Sequence, residues 1–590
     1  MDEERNMNMK NVKKILALLV AILMIAASMS ALAVKTDGTD STVVVSGLTS
    51  GDKVNFYHII KWVGDAEDNV AGWYWTDDFA SLGKDALIAA IDDQSPDTYT
   101  GFTSELAGDI SRIAAGATAT ATVTATGTSV SYDIDDDSKL GTYIALVTPK
   151  DASTVYNPAF VSADWTSGNN DAGMIADSTY YNMSAAKKST IDLTKTSENA
   201  SDYNKDNGQT VAVGDVLSFT VETTIPGYGQ TFDAPAFKLV DTMTDLKLKT
   251  DDIAITVGGA TADPDTYDLS ATTSGYTLNF KPDYLKTLVA PTSLKIEYKA
   301  EVLSAAAVAN VDEKENTVTL EYSHDPSTET DGKPGGDKEY KKDKTTHYTF
   351  TIDANNLWSG SEKIGESGSE IIKISVDRNG NPIYSEVKTW SNITTTEYEA
   401  SPLAGCEFEL YKVDSTGAKT GDPIATAISD ANGRILFENL DEGSYILIEK
   451  SAPAGYVRDT TEHTIDIIAD TTTESITEYY DQQGTWYPTS TEGDGRKPFT
   501  YDYTELNSYQ IKFDGAEVAS HTFGHEAGET EIKWSNKGST ELPTSIHNTK
   551  GVELPSTGGI GTTIFYIGGS ILVLAAVILL VTKRRMSAED

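Results

Sequence analysis

The sequence predicts an all-β, multidomain protein held outside the cell, and three observations predict it. Of 590 residues, 29 are Tyr and 46 are Gly, with Thr and Val recurring in runs, a composition of strands and turns. Apolar residues repeat at every second position through much of the chain, as in VLSFTVETTI and SLKIEYKAEVL. Both ends carry apolar segments flanked by basic residues, the pattern of secreted and surface-held chains. The length allows roughly three or four domains at about 150 residues each.

Charge and cysteine narrow the class. Lys and Arg number 46 against 89 Asp and Glu, a net charge of −43. Such acidity excludes a nucleic-acid binder, because phosphates need a basic footprint. The single Cys, Cys406, excludes internal disulfides and Cys-rich zinc sites, and its apolar setting reads as a small core residue.

The elements follow in order. Residues 1–33 read as a signal peptide: Lys10, Lys13 and Lys14 precede an apolar run, and Ala31-Leu32-Ala33 is a small-x-small cleavage site. Residues 34–186 form an N-terminal β-rich domain, with strands around Val43–Val45 and Val54–Phe56 and short helices over 79–91 and 104–114. Residues 187–342 alternate Thr, Val and Leu as an antiparallel sandwich does. Their last part, HDPSTETDGKPGGDKEYKKDKTT with its overhang past 342, reads as a linker or exposed loop. Residues 343–550 are a further β-rich block in which 471–540, rich in Thr, Tyr and Gly, look like a decorated insertion. Residues 551–590 hold LPSTGG, an uncharged apolar run long enough to cross a bilayer, and Lys583-Arg584-Arg585.

Two motifs carry a resemblance. Leu554-Pro555-Ser556-Thr557-Gly558 matches the LPxTG sorting signal and, with the span and basic tail behind it, resembles sortase substrates of Gram-positive bacteria. Tyr445, Leu447, Glu449, Ala452, Pro453, Gly455 and Tyr456 are spaced as in the E-box YxLxETxAPxGY, with Lys450 where Thr is usual. That box marks collagen-adhesin B-type domains and sortase-assembled pilins. From signal peptide to tail, the chain resembles a major (backbone) pilin of Gram-positive pili.

The resemblance implies tandem immunoglobulin-like, collagen-adhesin-type sandwiches and self-formed Lys–Asn isopeptide bonds. A buried Lys loses its charge, a buried carboxyl keeps its proton, and the acid can polarise an Asn amide for attack by the amine. In the middle domain the pattern falls on Lys195, Asp241 and Asn316; from residue types alone these would be a surface Lys, a turn Asp and a strand-edge Asn. A bond closing about 120 residues removes on the order of 5 kcal/mol of unfolded-state entropy, if the disulfide relation transfers. In the C-terminal domain Glu449 is the carboxyl and Asn548 the amide, with Lys373 preferred as amine over Lys388. Sortase would cleave after Thr557 and pass its acyl group to a Lys of the next subunit. Here YYNMSAAKKSTIDLTK offers Lys187 or Lys188 but lacks the family's Tyr-Pro.

The expected partners are other copies of the chain, pilin and housekeeping sortases, accessory or tip pilins and peptidoglycan. The membrane is expected only at the C-terminal span before sorting, and neither cofactor nor metal is expected. Asp133, Asp135 and Asp137 lack the Gly and Glu of a calcium loop, and His521, His525 and Glu526 do not complete HExxH. The expected role is a covalently polymerised, wall-anchored pilus shaft supporting adhesion, with a monomeric wall-anchored adhesin as the alternative. An enzyme is disfavoured, because no catalytic constellation is in frame.

Overall fold

The computed structural model describes residues 42–63, 72–91, 104–163, 183–199, 209–304, 311–381, 402–523, 531–534, 544–551 and 560–586, apart from a few short gaps within them. The predicted signal peptide, the LPSTG pentapeptide and Lys388 lie outside the described residues.

The N-terminal domain stacks two sheets and a helical layer. The strand Lys53–Val63 sends side chains into cores on both of its faces. Val54 and Phe56 meet Val43, Val45 and Tyr143 in one core, whereas Tyr57 and Ile59 meet Phe79, Leu87 and Ile110 beneath the helices. Those helices, Gly83–Ile91 and Ser104–Gly116, fall where the sequence places them. Leu106, Ile110 and Ala114 recur every fourth residue and form the buried stripe of the second. Lys188–Thr190 pairs with Thr154–Tyr156, and Met183–Ala185 runs parallel to Thr42–Ser46, so the chain leaves this domain along its edge.

The middle domain is the predicted sandwich. One sheet includes Leu193–Asn199, Val216–Ile225 and Thr292–Val302; the other includes Gly275–Phe280, Phe237–Thr244, Val311–Ser323 and Lys338–Ile352. Alternate residues of both, among them Leu217, Phe219, Leu239, Ile296 and Leu320, fill the space between.

The stretch read as a linker is corrected here from Lys338 onward. Lys338–Ile352 is a strand of 15 residues that pairs with Val311–Ser323 on one side and Phe437–Leu440 on the other. One strand therefore runs through residues 342 and 343 and belongs to both sandwiches.

The C-terminal domain packs a three-stranded sheet (Ile371–Val376, Thr544–Lys550, Tyr456–Val457) against an eight-stranded one around Phe408, Leu410, Leu447, Ile465 and Ile511. The residues read as a decorated insertion include most of a long hairpin, Glu462–Tyr480 with Lys497–Phe513. Its rings lie on the strand shared by the two sandwiches. Lys344 Nζ is 4.1 Å from the centroid of Tyr503, Lys341 Nζ 5.2 Å from that of Phe499 and Lys342 Nζ 5.5 Å from that of Trp486. Lys342 also pairs with Glu478 at 2.6 Å, and Glu339 takes hydrogen bonds from Tyr480 and Lys497. Gly484 is obligatory at the tip: its φ is +79°, and a Cβ there would sit 2.3 Å from the Tyr340 ring. After the domain, the helix Ile560–Met586 contains a stretch, Tyr566–Arg584, long and apolar enough to cross a membrane.

Candidate functional site

Strand alternation builds the first site. Lys195 falls at an inward position of Leu193–Asn199, with Thr194 and Thr196 exposed on either side. Asp241 and Asn316 take inward positions on two paired strands of the opposite sheet. All three side chains are buried: Lys195 and Asp241 side chains are 0% exposed, and Asn316 is 0% exposed. Lys195 Nζ donates to Asp241 Oδ2, and its floor is apolar, with Phe219 at 5.4 Å from ring centroid to nitrogen. The structure thus brings together the three residues the sequence singles out here.

Burial sets their charges. It pushes the Lys195 pKa down, against the pull of Asp241, and pushes the Asp241 pKa up, against Lys195 and Tyr298. Both shifts favour a neutral amine beside a protonated acid, the state in which an amine is nucleophilic and an acid can donate. Burial lowers the nearby His347 to about 3, so that ring stays neutral.

The second site repeats the logic with other strands. Lys373 sits in Ile371–Val376, an apolar strand that ends at the turn Asp377–Asn381, as the sequence suggests. Its backbone N–H donates to Gly433 O at 2.7 Å; Gly433 has φ +76°, and a Cβ there would lie 2.3 Å from Lys373 O. Lys373 Nζ donates to Glu449 Oε2 at 2.8 Å, and Asn548 Nδ2 donates to Glu449 Oε1 at 2.6 Å. One carboxyl therefore holds amine and amide together, and burial lowers the Lys373 pKa against the pull of Glu449.

The E-box explains why Glu449 is inside. Tyr445, Leu447 and Glu449 alternate inward on Gly443–Ser451, and the Tyr445 hydroxyl donates to Asp441 O at 2.6 Å. Lys450, the departure from the motif, points outward to Glu407 and Glu409.

Sequence reasoning missed two participants. The Tyr298 hydroxyl lies among Lys195, Asp241 and Asn316; its place in the alternation of SLKIEYKAEV marks it only as a core aromatic. Cys406 is a buried core residue, as read, but its Sγ also accepts from Asn548 Nδ2 at 3.6 Å. Burial, reinforced by Glu449, pushes that thiol up to about 12. In the N-terminal domain, among the described residues, the buried carboxylate Asp52 is held by Thr49 N, Lys150 N and the Tyr156 hydroxyl. Lys187 and Lys188 are exposed where the chain passes to the middle domain.

Comparisons with known proteins agree with this architecture. Residues 390–481 match the SpaA prealbumin-like fold domain, and residues 546–587 match the LPXTG cell wall anchor motif. The trypsin-resistant surface T6 protein of Streptococcus pyogenes serotype M6 is 26% identical over 475 residues, which cover 75% of this chain and 78% of that protein. The structure of the T6 backbone pilin of serotype M6 Streptococcus pyogenes aligns with a TM-score of 0.49 at 18% identity, covering 88% of this chain and all of that one. The full-length RrgB pilus protein of Streptococcus pneumoniae aligns with a TM-score of 0.36 at 12% identity, covering 88% and 99%. With a prealbumin-like SpaA domain and an LPXTG anchor in one chain, this is a cell-wall-anchored surface protein similar to the backbone pilins of Gram-positive bacteria.

Proposed function

We propose that the chain is the repeating shaft subunit of a covalently polymerised, wall-anchored pilus, and that its middle and C-terminal sandwiches each close one Lys–Asn isopeptide bond. The observation that carries this is the pair of buried amine–carboxyl–amide clusters in successive domains. Burying a Lys and an acid is costly, and a stable apolar substitute is easily found, so two such clusters beside buried Asn amides call for a chemical reason. Formation of an amide provides it.

In each site the neutral Lys amine attacks the Asn carboxamide carbon. The new C–N bond forms, the old one breaks, and ammonia leaves. Asp241 or Glu449 polarises the amide and shuttles a proton from the attacking nitrogen to the departing one, ending as it began. The reaction happens once per domain, so the chain modifies itself and does not turn over. The middle bond joins Lys195 to Asn316 and the C-terminal bond joins Lys373 to Asn548.

Polymerisation uses the two ends. Sortase would cut after Thr557 and transfer its acyl group to Lys187 or Lys188 of the next copy, with the terminal copy passed to peptidoglycan. Wall extracts boiled in SDS and blotted for this chain are expected to give a high-mass ladder that collapses in a Lys187→Ala/Lys188→Ala variant. A ladder unchanged by the variant would move the nucleophile elsewhere. A single monomer band in the wild type would leave the wall-anchored monomeric adhesin in place of the shaft.

A further inference from the structure

The two clusters are not wired alike. In the C-terminal site the amide nitrogen of Asn548 rests directly on Glu449, at 2.6 Å. In the middle site the amide nitrogen of Asn316 donates to the Tyr298 hydroxyl at 3.0 Å, and the hydroxyl in turn donates to Asp241 Oδ2 at 2.7 Å. Lys195 Nζ is the other donor to the same oxygen. A phenol has one proton to give and two lone pairs to accept with. All three are spent here, and all three partners are the groups that react.

The ring is held firmly enough to keep that geometry. Tyr298 takes an inward position on Thr292–Val302, between Ile296 and Ala300. It stacks on Phe219 at 5.3 Å between centroids and meets the edge of Tyr276 at 5.3 Å. Packing alone would be served as well by Phe. Tyr276 marks the contrast, because its hydroxyl is equally buried but has no hydrogen-bond partner among the described residues.

Resting on the isopeptide reading above, we propose that Tyr298 is a catalytic residue of the middle-domain bond, relaying a proton from Asp241 to the departing nitrogen of Asn316. As Lys195 Nζ bonds to Asn316 Cγ, Tyr298 gives its proton to Nδ2 and recovers one from the Asp241 carboxyl. Asp241 is restored by the proton that Lys195 Nζ loses, the Cγ–Nδ2 bond breaks, and ammonia departs. Burial holds the phenol well above its ordinary pKa, so it enters the step as a neutral donor.

The test follows bond formation in the full-length chain by pulse-labelling, digestion and mass spectrometry of the Lys195–Asn316 and Lys373–Asn548 peptides. Tyr298→Phe is expected to slow the first at least ~10²-fold, the usual contribution of a positioned proton donor, and to leave the second unchanged. Tyr276→Phe is expected to form both at the wild-type rate. A wild-type rate in Tyr298→Phe, or equal slowing in Tyr276→Phe, would overturn the relay. Should Tyr298→Phe not fold, fluorotyrosine at position 298 keeps the shape and changes the phenol acidity; a shifted rate supports the relay and an unshifted rate overturns it. A wild-type chain that folds without the Lys195–Asn316 peptide overturns the underlying bond itself, a result distinct from any of these.

Discussion

Replacing Lys195 by Met removes the amine and keeps a stem of similar length in the same apolar slot. Its effect can be worked from the structure. The bond to Asn316 would close about 120 residues, so its loss returns on the order of 5 kcal/mol of conformational entropy to the unfolded chain. Little else should change, because burial pushes the Asp241 pKa up and the Tyr298 hydroxyl lies 2.7 Å from it. For a domain of this size about 1 kcal/mol moves the melting temperature by roughly 2–4 °C, so the middle domain should melt some 10–20 °C lower. Scanning calorimetry reads the shift, and intact mass checks that the variant retains one more ammonia than the wild type. Asn316→Ala should lose the same bond, so in the double variant the two losses should fail to add by about 5 kcal/mol. The reasoning is refuted if a wild type shown by mass to carry the bond melts within ~3 °C of Lys195→Met.

Glu449→Gln removes the acid that holds both partners of the second site; the full chain should then lose one ammonia where the wild type loses two, by intact mass. His463 presents one ring nitrogen to Asp514 at 2.8 Å and the other to Asp459 at 3.2 Å, with Phe513 stacked on its ring. Burial opposes its charge, and the hydrogen bonds to Asp459 and Asp514 outweigh burial, raising its pKa. The stability this adds is therefore full below the unfolded value of about 6.5 and lost as pH rises through the folded value. Urea titrations should show the C-terminal domain weakening across that window, and His463→Gln should flatten the dependence. Lys342→Met removes an ion pair with Glu478 and contacts with two aromatic faces; it should cost about 1–2 kcal/mol and make 338–352 easier to cleave in limited proteolysis.

Strands whose inward residues are apolar were legible, because a period of two shows in letters. So was Lys373, a single charge in IIKISV with a turn behind it. The strand Lys338–Ile352 was not. Its KEYKKDK reads as solvated charge, and only the rings of a hairpin more than a hundred positions later turn those lysines inward. The hairpin was obscure for the matching reason: the alternating rings of its outer half, Phe499, Tyr501 and Tyr503, face the lysines of that strand and not an apolar core. Tyr298 was visible as core and not as chemistry, since its hydroxyl acquires partners only when the facing sheet arrives with Asp241 and Asn316.

The shared strand gains a second meaning once the two bonds are closed. A pull between the linkage lysines and Thr557 would travel from Lys195 straight to Asn316 and from Lys373 straight to Asn548. Nearly all of each sandwich would lie off that route. The longest stretch left under tension would be that from 316 to 373, which includes Lys338–Ile352. That is the strand clasped by the hairpin through Lys341, Lys342, Lys344 and Glu339. The hairpin would thus act as a splint on the longest link that no covalent shortcut relieves.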